Sequence, residues 1–189
     1  MNQDLKQLSD EQLLQLSRSG DTQAFGELVR RYEPKVAATV IGMVGKCDEA
    51  DDVGQETFIR FYRSLNTFRG DSSIGTYITR IAINLSLNEL KRRKRTASSH
   101  VRIHTLSSRS EPGAEQNFEQ FDTKDLVRQA LETLRPKLRS VVTLRLVEGY
   151  STEETAAILH LPLGTVLSRL KRAQEKLRMY LHQYKEGSE

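Results

Sequence analysis

At 189 residues the chain has room for one ordinary domain or two small ones, and its hydrophobic fraction of 37% contains no apolar run near the ~20 residues that a membrane-spanning helix needs. A single cysteine, Cys47, excludes a disulfide framework and a cysteine-based zinc cluster. The net charge of +4 allows contact with nucleic acid without requiring it, and the polar start MNQDLKQLSDEQ is unlike a secretory signal, so a cytoplasmic protein is expected.

Helical periodicity recurs along the chain and strand-like alternation is nearly absent, which predicts an all-α protein. Ser9 with Gln12 is a capping pair for a short helix through Leu13, Leu14 and Leu16. Gly20-Asp21 ends it and caps the next, where Phe25, Leu28, Val29 and Tyr32 form a buried stripe. Pro34 is expected to start a third helix, with Val36, Val40, Ile41 and Val44 apolar. Asp48 opens a fourth, whose later half buries Phe58, Phe61, Tyr62 and Leu65. Its early half displays Asp51, Asp52, Gln55 and Glu56. The helix dipole favours acids in a first turn, but it explains Gln55 and Glu56 less well, and an acidic-polar strip there suits a basic partner surface.

Gly70, Asp71, Ser72 and Ser73 then form a turn before a long helix. Ile74, Ile78, Ile81 and Leu85 share its buried face, while Tyr77, Arg80, Asn84, Asn88 and Lys91 make a second strip. That strip is either a solvated face with Tyr77 half buried, or a surface for single-stranded nucleic acid, where aromatics stack on bases and cations meet phosphates. Lys91 to Arg95 are five consecutive cations, expected at the end of this helix. They exceed what a helix terminus needs and suit phosphate contact or solvation.

Residues 1–95 carry 15 Lys/Arg against 13 Asp/Glu, residues 96–122 carry 2 against 4, and residues 123–189 carry 12 against 8. The middle segment is rich in Ser, Gln and Glu, holds Pro112-Gly113 and lacks helical period, so it reads as a flexible linker between two small helical domains. In the last segment, Ser151 with Glu154 is a capping box. Pro162 and Gly164 bracket the start of another helix, in which Val166, Leu170, Ala173 and Leu177 form one stripe. Gly164, Ser168, Lys171 and Arg172 lie opposite. A helix, a turn and a second helix with small, hydroxyl and basic groups outward is what a major-groove reader needs, the alternative being a hairpin with a solvated basic face. No Gly-rich phosphate loop, metal-spaced His pair or Ser-His-Asp set stands out, so no metal, cofactor or enzyme activity is expected.

In combination these motifs resemble the bacterial RNA polymerase sigma factors of the extracytoplasmic-function (ECF) type. Residues 21–32, DTQAFGELVRRY, resemble the opening of the family's first region; Asp51 to Phe58 resemble its polymerase-binding segment. Phe68 to Ser73 and Thr76 to Asn84 resemble its −10 recognition and melting segment, and Tyr150 to Arg178 its −35 helix-turn-helix. The resemblance implies a −10 and polymerase-binding domain over 1–95, a linker over 96–122 that threads toward the RNA exit path, and a −35 domain over 123–189. It implies that Asp51, Asp52, Gln55 and Glu56 dock on core RNA polymerase. Gly70, Asp71, Ser72, Ser73, Tyr77, Arg80 and Asn84 would capture an unstacked base of the −10 promoter DNA, with Lys91, Arg92 and Arg93 on the phosphates. Thr165, Ser168, Lys171 and Arg172 would face the −35 duplex, with Arg169 flanking, and an anti-sigma factor is an expected partner.

Several residues depart from the family's pattern. Tyr77 stands where Trp is usual and offers less area to stack on. Leu167 replaces a commonly basic residue, and either grazes a thymine methyl or packs. His160 stands where Gly is common, in a turn that asks for positive φ. Gly54 weakens the docking helix by about 1 kcal/mol. The competing reading, a LuxR-like activator, also ends in a helix-turn-helix, but requires a strand-containing ligand or receiver domain for which residues 1–95 show no pattern.

Overall fold

The computed structural model describes residues 4–104 and 123–186, and every regular element among them is helical. A 3-10 turn, Leu5–Gln7, leads into α1 (Asp10–Arg18), α2 (Thr22–Val44), α3 (Asp48–Ser64) and α4 (Ile74–His104). After the second start come α5 (Thr123–Glu132), α6 (Pro136–Val142), a π-helical turn (Thr143–Val147), α7 (Thr152–Leu159) and α8 (Leu163–Glu186). The Pro112-Gly113 part of the expected linker lies outside the described residues.

The local signals act as the sequence predicts at the starts of these helices. Ser9 Oγ accepts from the Gln12 amide while the Gln12 side chain accepts from the Ser9 amide, closing the capping box of α1. Asp21 accepts from the amides of Gln23 and Ala24 at the head of α2. Ser151 and Glu154 repeat the capping box at α7. Each such cap is worth about 1 kcal/mol by satisfying amides that the first turn leaves orphaned.

Three expectations are corrected. Pro34 does not start a helix; α2 runs through it without a break. Pro34 is exposed, so the carbonyl one turn back can be hydrated, and the burial of Leu28, Val36, Val40 and Met43 along α2 outweighs the ~3 kcal/mol that an internal proline costs. Tyr62 is not buried with Phe61 and Leu65 but 48% exposed, its ring edge packed on Phe25. Lys91 to Arg95 do not end a helix, because α4 continues to His104; the helix dipole therefore has no part in placing them, and the expected linker begins in helical form. The two helical domains are joined as expected and in addition pack on one another. Leu144, Tyr150 and Ile158 from the second half belong to the same core as Leu28, Met43, Phe61, Ile78 and Ile83 from the first.

Specific bonds reinforce that packing. The Thr79 and Tyr150 hydroxyls share a buried hydrogen bond of 2.9 Å. Arg139 donates through Nη1 to the Met43 carbonyl at 2.6 Å and through Nη2 to the Glu132 carbonyl at 2.6 Å, tying the end of α2 to the α5–α6 corner. The Lys35 ammonium lies 4.3 Å from the centre of the Tyr150 ring, within cation–π range. The second half keeps a small core of its own, Leu131, Leu134, Val142 and Ala173, flanked by Leu138, Leu170 and Leu177.

Candidate polymerase and promoter interfaces

Helix α3 has two faces. Val53, Thr57 and Phe61 are buried against the bundle, while Asp51, Asp52 and Gln55 are exposed and Glu56 is half exposed, pairing with Arg60 at 2.8 Å. The four candidate docking residues thus share one solvent face. Beside it runs a groove of about 590 Å³ between α3 and α4, lined in part by Asp52, Glu56, Asn88, Glu89 and Arg92. Glu89 accepts from Arg92 at 2.8 and 3.0 Å, and that bond, with help from Arg93, holds its carboxyl below the usual carboxylate range. At Gly54 an added Cβ would meet nothing within 4 Å, so no neighbour inside the chain demands glycine there.

Arg93 departs from the phosphate-facing role expected for it. Its guanidinium points inward and donates to Glu89, the Val44 carbonyl, Cys47 Sγ and Glu49. It is a clamp joining α4 to the α2–α3 junction. Lys91 and Arg92 remain exposed, but Arg92 is engaged with Glu89 on the groove side.

The connection from α3 to α4 builds the second site. Arg18, at the end of α1, donates to the carbonyls of Leu65 and Phe68 and so fixes the loop from beneath. Gly70 has φ +82°, a conformation that side chains resist, which lets the chain reverse before Ser73 caps α4 by accepting from the Thr76 amide at 3.1 Å. The loop and the first turns of α4 enclose a cavity of about 300 Å³, lined by Phe68, Arg69, Asp71, Ser72, Tyr77 and Arg80 among others. Tyr77 is not a free stacking surface: its ring packs on Phe68 at 4.8 Å and Phe61 at 6.2 Å, so it forms a wall of the cavity. Arg80 donates to the Ala157 carbonyl of α7 at 3.2 Å. Asn84 is exposed one turn further along. Local spacing could not reveal Arg18, since it acts across the bundle on carbonyls distant in sequence.

The third site is the α7–turn–α8 unit. His160 sits in the left-handed region at φ 50°, the single non-glycine with positive φ among the described residues, as the turn requires. Val166 and Ala173 are fully buried and Leu170 and Leu177 partly so, which turns Ser168, Lys171 and Arg172 to solvent. Thr165 and Arg169 lie half buried on the flank, and Ser168 Oγ donates to the Thr165 carbonyl at 3.0 Å. Leu167 is 51% exposed.

Among the described residues no group of three or more His, Cys, Asp or Glu is arranged to hold a metal, and no helix is long and apolar enough to cross a membrane. No strand is present among the described residues, so nothing in them supports the alternative of an activator with a strand-containing receiver domain.

Comparison with known proteins agrees with this geometry. The family described as Sigma-70 region 2 matches residues 28–96, and that described as Sigma-70, region 4 matches residues 124–177. The chain is 37% identical over 183 residues to the RNA polymerase sigma-H factor of Pseudomonas aeruginosa, covering 92% of this chain and 94% of the relative. It is 39% identical over 180 residues to the ECF RNA polymerase sigma-E factor of Escherichia coli, covering 91% and 94%. Among solved structures, CnrH in complex with the cytosolic domain of CnrY matches with a TM-score of 0.68 at 27% identity, covering 92% of this chain and 97% of that one. With both sigma-70 regions in order and relatives matched nearly end to end, the chain belongs to the extracytoplasmic-function type of the sigma-70 family.

Proposed function

We propose that this chain acts in the cytoplasm as a promoter-recognition subunit of RNA polymerase, directing initiation rather than catalysing a reaction itself. One observation carries the reading best: a single helical frame presents three distinct faces, an acidic strip on α3, a base-sized cavity at the α3–α4 connection, and a hydroxyl and basic face on α8. The first half, residues 1–95, docks on core polymerase through Asp51, Asp52, Gln55 and Glu56. It takes a −10 base into the cavity beside Asp71, Ser72 and Arg80, with Gly70 and Ser73 shaping the loop, Tyr77 as a wall, and Asn84 and Lys91 further along the strand. Unstacking a base costs a few kcal/mol, so a pocket that returns most of this for one base selects it. Residues 123–189 place Thr165, Ser168, Lys171 and Arg172 in the −35 major groove, with Arg169 at the edge, and residues 96–122 join the two. An anti-sigma factor that covers one or more of these faces belongs to the same reading.

Run-off transcription with purified core polymerase on genomic promoter fragments tests it. Transcripts that appear only with this protein are the expected result; none with any fragment, together with no binding to core polymerase, removes it. Within the reading, the double substitution Asp52→Ala and Glu56→Ala should weaken binding to core polymerase while leaving the folded helix content intact. Unchanged binding would remove the docking assignment alone.

A further inference from the structure

We infer that Leu163 and Leu167 form an apolar lip on the −35 helix that selects thymine through its C5-methyl group; the inference rests on the sigma-factor reading above. Both side chains are exposed, Leu163 at 44% and Leu167 at 51%, although α8 already has a complete buried stripe in Val166, Leu170, Ala173 and Leu177. The core does not need them. They stand one turn apart, at i and i+4, and so form one contiguous patch. The patch lies in the first turns of α8, the end of a recognition helix whose residues meet base edges.

Its surroundings decide what it fits. Ser168, Lys171 and Arg172 are exposed beside it and give the patch a polar, cationic rim. An apolar groove on another protein would leave that rim unmatched. A DNA duplex matches both parts: phosphates meet the cations, and within the major groove thymine alone presents a methyl group, where cytosine, adenine and guanine present polar atoms. Leu167 carries no donor for guanine, so the lip sets preference at its base pair by shape and apolar contact.

The test uses the full chain with core polymerase and a promoter fragment recovered by run-off transcription. Each thymine of the −35 element is replaced in turn by deoxyuridine, which removes the methyl and nothing else. Burying one methyl against leucine corresponds to about a fourfold change in affinity, so one or two positions should lose about fourfold in open-complex formation and the others should not. With Leu167→Ala or Leu163→Ala, both exposed positions whose change leaves the core untouched, the deoxyuridine penalty should vanish at one of those positions, and Leu167→Met should largely keep it. A −35 element without thymine, no response to deoxyuridine anywhere, or an unaltered response in both alanine variants overturns the inference while the sigma reading stands. Absence of any transcript dependent on the protein overturns both.

Discussion

The two halves of the molecule are built on different principles. The first is self-sufficient: Leu13, Leu28, Met43, Phe61, Ile78 and Ile83 are fully buried within it, and α2 forms its central post. The second has a smaller core of its own, Leu131, Leu134, Val142 and Ala173, and adds Leu144, Tyr150 and Ile158 to the core of the first. A domain that relies on a neighbour for part of its core is stable where it is docked and looser when it is not, since burial that depends on docking is lost on release. The difference teaches that the first half can serve as the platform and that part of the burial of the second depends on staying docked to it.

The strongest way to break the comparison is Phe61→Ala. Phe61 is wholly buried among Phe25, Tyr77 and the bundle, so its removal should destabilise the first half by about 3–5 kcal/mol in denaturant titration and, because the second half leans on it, unfold both together. Two separated transitions would show the second half to be independent after all. Next comes Tyr150→Phe, which strips one partner from the buried pair with Thr79 and should cost about 1–3 kcal/mol. Here the loss should show as faster amide exchange across α7 with α1 and α3 unaffected.

His160→Gly should act in the opposite direction and only locally. A left-handed residue other than glycine is disfavoured by roughly 1–2 kcal/mol, so the variant should raise the stability of the helix-turn-helix by about 1 kcal/mol, seen as slower exchange in α7 and α8. The smallest effect belongs to the platform. Glu27 accepts from Arg30 and Arg31 at 2.7 and 2.9 Å, and the Arg30 bond leads in pulling its pKa from 4.5 down to about 2. Its stabilisation is therefore complete above about pH 4.5 and is lost as the pH falls toward 2. Urea midpoints measured across that window should fall for the wild type and change less for Glu27→Gln; equal slopes would exclude this ion pair as the acid-sensitive element.

Much of this architecture was legible in the sequence because it is local. The capping boxes at Ser9 and Ser151, the cap at Asp21, and the stripes of α2, α4 and α8 are periodic or short-range signals, and they settle where helices begin and which faces turn inward. The acidic strip of α3 and the outward set Ser168, Lys171 and Arg172 follow from the same periodicity. What escaped is long-range. Thr79 and Tyr150 are far apart in sequence, as are Arg139 and Met43, and nothing in either local pattern names its partner. Arg93 reads as one more cation in a basic run until the fold brings Cys47, Val44 and Glu49 to it. Pro34 misleads for a related reason: the local rule against internal proline is overruled by burial spread along the whole of α2.

Arg80 belongs to two conversations at once. It lines the cavity proposed for the −10 base, and its guanidinium donates to a carbonyl of α7, the first helix of the helix-turn-helix. The Ala157 bond uses one of the five N–H donors of the guanidinium, so under the proposed function a strand in this cavity and α7 would share one side chain. Under the proposed function the −10 strand and the −35 duplex would both act on this one contact, and a coupling carried by it is reciprocal: each site would alter the affinity of the other by the same factor.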